Sequence, residues 1–110
     1  MAMKRVKSGI LVSAALRYAN TALIDCVLAR RGDKDAGAIF LHIDALDGRH
    51  KLLARSLNVE GQYEWHIITN TEWVDAEAAS TRLAAEMEMD QDAFIIAVSD
   101  AQARNPFDAL

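Results

Sequence analysis

The 110-residue chain predicts an α+β domain. Three observations support this prediction: short apolar runs bounded by glycine-containing turns, an Asp-Gly pair between two such runs, and a later stretch whose apolar residues have helical spacing. We expect a mainly antiparallel sheet of about five strands with two helices on one face, in the order α-β-β-β-β-α-β. No linker or internal repeat divides the chain, so residues 1–110 are predicted to form a single domain.

The first predicted element follows a basic segment, residues 1–8, which we expect to be flexible. Ser8 is a candidate helix N-cap, and Ile10 and Ala14 have helical spacing. A short strand fits the beginning of the same stretch. The pattern therefore leaves open whether residues 10–20 are helix or strand.

Residues 21–48 dominate the fold prediction. Apolar runs at 23–30 and 38–44 flank a charged turn that contains Gly32 and Gly37. This pattern predicts a β-hairpin in which one glycine supplies a positive φ. Because the first run is apolar on both of its faces, we expect it to be a central strand of the sheet.

The middle of the chain predicts two further strands. The pair Asp47-Gly48 indicates a tight turn into a third strand at residues 51–57. A fourth strand is predicted at residues 63–69, where aromatic and aliphatic residues alternate with polar ones.

The C-terminal third predicts a helix followed by a strand. Asp75 is a candidate N-cap for a helix that ends near Met89. The short apolar run at residues 94–98 is typical of a central strand. We expect residues 101–110 to be a flexible tail, because Pro106 prevents regular strand pairing.

Charge and composition restrict the classes of function. The chain has 12 Lys and Arg against 16 Asp and Glu, a net charge of -4, which disfavours nucleic-acid binding. Cys26 is the single cysteine, so no intramolecular disulfide can form, and its apolar neighbours predict a buried, unreactive thiol. No apolar run is long enough to span a membrane. The apolar run after the basic start is short and interrupted by Arg17, so we expect a cytoplasmic protein rather than an exported one.

Four residues are candidate binding residues: Arg30, Arg31, Asp33 and Trp65. Two arginines at a strand end, beside glycine amides, suit a phosphate or carboxylate. Neighbouring strand residues point to opposite faces, however, so both arginines reach one ligand only if the strand has already ended. An ordinary turn, with the arginines paired to nearby carboxylates, fits the same pattern. Trp65 is a candidate interface aromatic.

The sequence predicts no catalytic residue, no metal site and no cofactor. His42 and His66 would need Cys26 beside them to form a zinc site, and their spacing does not preorganise one. No serine lies in a nucleophile-elbow motif. We expect the histidines to face solvent or to be hydrogen-bonded in the core.

Four segments of the chain together resemble one family: VSAALRYAN, CVLARRGDKDAGAIFLHID, LDG and DQDAFIIAVSD. This family is a small alphaproteobacterial family of uncharacterised proteins of about this length, known as a domain of unknown function. The resemblance covers nearly the whole chain. The chain departs from the family pattern at Gln91, Phe94 and Ala15, where many members have proline, tryptophan and an aromatic residue. The resemblance implies the same order of elements and adds no activity.

The sequence therefore favours a small cytoplasmic protein-interaction or regulatory module without catalytic activity, which binds an unidentified protein partner or forms a homodimer. One alternative is a nucleic-acid-binding module that uses the Arg30-Arg31 turn and the basic N-terminal arm of Lys4, Arg5 and Lys7. Another is an enzyme acting on an anionic small molecule, with His42 or Asp33 as the general base.

Overall fold

A computed structural model describes residues 7–35 and 37–110, and it confirms the predicted α+β class and element order. Five strands, two α-helices and one short 3₁₀ helix are present in these residues: α1 (Ser8–Thr21), β1 (Asp25–Arg30), β2 (Ile39–Asp44), β3 (His50–Leu57), β4 (Tyr63–Ile67), α2 (Ala76–Met89), β5 (Phe94–Ser99) and the 3₁₀ helix Pro106–Ala109. Most of the segment expected to be flexible at the N-terminus lies outside the described residues.

The five strands form one mixed sheet in the order β1-β5-β2-β3-β4. Strand β5 is central, as predicted, and pairs antiparallel with β1 and parallel with β2. The β2–β3 and β3–β4 pairs are antiparallel, which confirms the Asp-Gly hairpin. The predicted hairpin between β1 and β2 is wrong, because β5 lies between these two strands and pairs with each of them.

The two helices cover opposite faces of the sheet, which corrects the expectation that both lie on one face. Ile39, Leu41 and Ile43 pack in the core cluster that contains the buried residues of α1. Phe40 and Ile95 belong to a second cluster, packed against Leu83 and Met87 of α2. Because strand side chains alternate between faces, the two apolar faces of β2 and β5 require a cover on each side. We call these faces the α1 face and the α2 face.

Strand β1 is an edge strand, so the prediction that it is central is wrong. Cys26 and Leu28 pack against the α1-face core, whereas Val27 on the other face is 53% exposed. A valine is tolerated at an exposed edge, since folded proteins always leave part of their apolar surface in water.

The helix ends show which predicted caps form. Residues 10–20 are helical, which settles the open choice between helix and strand. Ser8 does not cap α1; its hydroxyl donates a buried hydrogen bond of 2.6 Å to the carbonyl of Gly37. Asp75 caps α2 as predicted, because its carboxylate accepts from the amide of Ala78. No helix in the described ranges has the length and apolar character needed to cross a bilayer.

The C-terminal segment packs on the α1 face instead of extending as a tail. Phe107 is buried, and its ring centroid lies 4.9 Å from that of Trp65. The side chain of Asn105 accepts from the amide of Phe107 and starts the 3₁₀ turn. Arg104 forms an ion pair with Asp100, whose side chain is largely buried. The predicted absence of regular strand pairing here agrees with the structure, but the segment contributes to the core.

Candidate functional site: a basic groove beside the first helix

The side chain of Arg30 is placed by an irregularity in β1. Leu28 pairs with Ile96 and Arg30 pairs with Ile95, so Ala29 is an extra residue on β1 opposite that step of β5. Such a bulge changes the face to which the following side chain points. Leu28 therefore lies on the α1 face, whereas Arg30 lies on the α2 face.

On the α2 face, the guanidinium of Arg30 binds backbone carbonyls at the end of α2 and in the turn that follows. Its Nε donates to the carbonyl of Ala93 at 3.1 Å, and its Nη1 donates to that of Met87 at 3.3 Å. Its Nη2 donates to the carbonyls of Asp90 and Ala93. A cation at a helix C-terminus also interacts favourably with the helix dipole. All three guanidinium nitrogens are thus used in the fold, and Arg30 is not available for a ligand.

The segment between β1 and β2 crosses the end of β5 at very short range. A Cβ atom added to Gly32 or to Gly37 would collide with the carbonyl oxygen of Asp92. Neither glycine has a positive φ, so the expected role in a turn is wrong. Their function is to permit close approach of two backbones. The amide of Asp33 donates to the same carbonyl at 2.8 Å.

Helix α1 presents a different stripe of residues to this segment than to the core. Its buried residues are Ser8, Val12, Ala15 and Ala19. Ile10, which has helical spacing with Ala14 in the sequence, is 62% exposed. Residues at spacings of three, four and seven share one side of a helix. Ile10 and the residues at these spacings therefore form a second side of α1, turned away from the core.

This second side and residues 31–35 enclose an open groove of about 680 Å³. We call it the basic groove, because four cationic side chains and one carboxylate line it: Lys7, Arg17, Arg31, Lys34 and Asp35. Its other lining residues are small or apolar, and they include Ile10 and Ala14. The amide of Gly9 donates to the carbonyl of Lys34 at 2.8 Å and holds the two walls together.

The charges of the basic groove are mostly uncompensated. Lys7 forms an ion pair of 3.3 Å with Asp35, and both side chains are largely exposed. Within the described ranges, the side chains of Arg17, Arg31 and Lys34 form no hydrogen bond or ion pair. Three free cations beside an exposed isoleucine suit a ligand that combines anionic and apolar groups.

The structure does not bring all four predicted binding residues together. Arg31 lines the basic groove, whereas Arg30 is committed to α2 on the other face. Asp33 is exposed and shapes the turn, since its carboxylate accepts from the amide of Asp35. Trp65 lies under the C-terminal segment, against Phe107, and does not line the basic groove.

Lys7 and Arg17 were expected from the sequence only as members of a wider positive face that could bind nucleic acid, and Lys34 only as part of the charged turn. Ile10 was not expected to line a site. The spacing of Lys7, Ile10, Ala14 and Arg17 was a usable signal, because it places all four on one side of a helix. That signal was hidden while helix and strand remained open for this stretch.

The histidines form a different arrangement from the one considered in the sequence. His42 Nε2 and His50 Nδ1 lie 2.9 Å apart and share a hydrogen bond, and His50 Nε2 is 3.9 Å from a carboxylate oxygen of Asp44. Burial and the neighbouring His50 lower the pKa of His42, while Asp44 opposes this shift. His66 instead contacts the hydroxyl of Ser56. Among the residues that the structure describes, no cluster of three His, Cys, Asp or Glu could hold a metal.

Cys26 has the character of a structural thiol. It is half-buried against the α1-face core. Burial, followed by the charge of Asp25, raises the pKa of its thiol to about 11. Because the thiolate is the reactive form, this environment disfavours nucleophilic chemistry at Cys26.

Comparison with known proteins supports the fold. The profile of a family described as "Protein of unknown function (DUF1491)" matches residues 6–108. A crystal structure of a DUF1491 family protein from Caulobacter crescentus CB15 is similar, with 21% identity over 94% of both chains and a TM-score of 0.82. An NMR structure of a DUF1491 family protein from the same organism has 20% identity, 94% coverage of both chains and a TM-score of 0.81.

A third structure, of protein Atu0922 from A. tumefaciens, has 23% identity over 87% of this chain and 86% of that chain, with a TM-score of 0.72. No curated protein matches the sequence.

Proposed function

The chain belongs to the DUF1491 family of proteins of unknown function, and we propose that it is a non-catalytic protein-interaction module of the cytoplasm. The basic groove is the proposed binding surface. Its partner is an acidic segment of another protein that also carries aliphatic side chains. One observation supports this proposal above the others: three unpaired cations surround an exposed isoleucine in a groove of about 680 Å³.

The chemistry of the groove favours a peptide over a nucleic acid. Its described lining residues include no aromatic side chain on which a base could stack. Ile10 and Ala14 instead offer contacts to aliphatic side chains. Arg30, required by the nucleic-acid alternative, is occupied by backbone carbonyls. The net charge of -4 further disfavours a polyphosphate partner.

The positions of the candidate general bases disfavour the enzyme alternative. His42 pairs with Leu52 across the sheet and shares the α2 face with Phe40, whereas the basic groove adjoins α1 on the other side. Asp33 is exposed and does not line the groove. A general base must lie within hydrogen-bonding reach of its substrate, directly or through one water.

Fluorescence anisotropy with a labelled peptide of alternating glutamate and leucine tests this proposal. We expect saturable binding at low salt, with affinity falling as salt is raised because the groove charges are exposed. The double variant Arg17→Gln/Arg31→Gln should weaken binding by at least tenfold. Arg82→Gln is the matched control, because Arg82 is an exposed arginine on α2 and does not line the groove.

Two further probes separate the alternatives. A peptide in which lysine replaces glutamate should not bind. A single-stranded oligonucleotide of similar charge should bind more weakly than the acidic peptide. Absence of acidic-peptide binding at low salt, or tighter binding of the oligonucleotide, would contradict the proposal.

Self-association is a second candidate, and the outer edge of β1 supports it. This edge has no neighbouring strand in the described part of the chain. Leu23, just before the strand, is 88% exposed. An open edge can pair with a second copy and extend the sheet. Light scattering combined with size-exclusion chromatography tests this: a concentration-dependent dimer that Val27→Lys abolishes supports edge pairing, and a monomer at all concentrations contradicts it.

A further inference from the structure

A second cavity lies on the α1 face, at the opposite end of α1 from the start of the basic groove. Its volume is about 530 Å³, within the range of small-molecule sites. Helix α1, strands β2 to β4 and the C-terminal segment all contribute to its wall. The cavity exists because the C-terminal segment, predicted as a flexible tail, is folded over the sheet.

The floor and one wall of this cavity are apolar. Ile24 and Ile43 are core residues, and Leu53 is half-buried beside them. Trp65 forms an aromatic wall, held in place by its contact with the ring of Phe107. Tyr18 adds a second aromatic ring from α1. Aromatic and aliphatic side chains of this kind favour contact with a flat apolar group.

The rim of the cavity offers hydrogen-bond donors. Arg104 uses Nε and Nη2 for the carboxylate of Asp100, which leaves its Nη1 without a partner among the described residues. Asn105 uses its carbonyl oxygen to accept from Phe107, and its amide nitrogen donates to no described group. The ammonium of Lys51 forms an ion pair of 3.2 Å with Glu72 and lies 4.5 Å from the centroid of the Trp73 ring, and an ammonium has three N–H donors.

We propose that this cavity binds a small organic anion with a planar apolar body, of which an aromatic carboxylate is the simplest example. The apolar body contacts Leu53 and Trp65, and the carboxylate accepts from Lys51 and Arg104. Asp108 lies on the same rim and disfavours a ligand with a second negative charge nearby. This site is independent of the proposed protein-binding groove, so the two proposals fail or succeed separately.

Amide chemical-shift mapping with 2-naphthoate as the probe tests the site. We expect saturable shifts around Leu53, Trp65 and residues 103–109, with a Kd of about 1 mM or tighter. The neutral analogue 2-naphthylmethanol should bind at least tenfold more weakly, because it lacks the charge that the rim recognises.

Two single variants keep the test informative even if one of them unfolds. Lys51→Gln should weaken naphthoate binding about tenfold, since it removes one charge-assisted contact. Tyr18→Ala should do the same by removing an aromatic wall, and Tyr18 is partly exposed, so the fold should tolerate the change. Arg82→Gln on the opposite face is the control. Absence of saturable shifts, shifts confined to residues 9–17 and 31–35, or equal binding of the neutral analogue would overturn the proposal.

Discussion

Replacing Arg30 with alanine should destabilise the protein far more than replacing its neighbour Arg31. Arg30 donates hydrogen bonds to three backbone carbonyls, and a hydrogen bond involving a charged group contributes about 1.5–3 kcal/mol. A cation at a helix C-terminus adds about 0.3–1 kcal/mol. Because one partly exposed side chain makes all of these contacts, and water replaces some of them, we expect a loss of about 2–4 kcal/mol.

Two matched variants test the physical reason for this loss. Arg31→Ala should change the free energy of unfolding by no more than about 0.5 kcal/mol, because its side chain lies in the open groove. Arg30→Lys keeps the charge but loses the planar fork that reaches several carbonyls at once, so it should cost an intermediate amount, about 1–2 kcal/mol.

Urea denaturation followed by tryptophan fluorescence measures these differences. Hydrogen exchange should also show faster exchange in the last turn of α2 in Arg30→Ala, since its C-terminal carbonyls lose their partner. Equal losses of unfolding free energy in Arg30→Ala and Arg31→Ala would refute the assignment of a structural role to Arg30 and an open groove position to Arg31. So would a loss below about 0.5 kcal/mol for Arg30→Ala.

Three further predictions concern the core, the thiol and the histidine pair. Phe107→Ala should lower the free energy of unfolding by about 3–5 kcal/mol, because the side chain is buried. Leu110→Ala, at an exposed position of the same segment, should lower it by less than about 0.5 kcal/mol. If urea denaturation gave similarly small losses for both variants, the C-terminal segment would not be part of the core. Cys26 should react with a thiol reagent at pH 8 at least tenfold more slowly than in the urea-unfolded chain, because the pKa of its thiol is raised to about 11; equal rates would contradict this. The pKa of His42 should lie below 6.5 by NMR, because burial and the neighbouring His50 lower it. The unfolded chain then binds more protons, so stability should fall as the pH is lowered through 6.5, and His42→Gln should reduce that slope. A pKa of His42 at or above 6.5 would refute this prediction.

Alternation along the chain was sufficient to predict strand β2, but not to place β1. In β2, Phe40 and His42 alternate with isoleucine and leucine, and both faces are largely covered. Because Val27 is apolar, the same alternation predicted a central position for β1. Leaving one valine exposed at a sheet edge costs little free energy, so the sequence pattern could not exclude an edge position for β1.

The insertion of β5 between β1 and β2 could not be predicted because it depends on long-range pairing. The glycines between the first two strands suggested a turn, but they permit close approach to the carbonyl of Asp92, a partner that is distant in sequence. Turn chemistry is local and can be recognised from neighbours, whereas backbone proximity between remote segments has no local signature.

Only part of the candidate site could be predicted, because the rest also depends on contacts between segments distant in sequence. Arg31 was identified from its position beside the turn. The face of the sheet on which Arg30 lies depends on the bulge at Ala29, which is visible only in the register of β1 against β5. Arg17 and Lys34 join Arg31 because the amide of Gly9 binds the carbonyl of Lys34. These contacts bring together residues that no short motif contains.

Amide chemical-shift mapping with the glutamate-leucine peptide tests the central proposal most directly. We expect the largest saturable shifts at residues 9–17 of α1 and at residues 31–35, with loss of those shifts in Arg17→Gln/Arg31→Gln and at high salt. Shifts confined to the α2 face, or no saturable shift at low salt, would show that the basic groove does not bind an acidic partner.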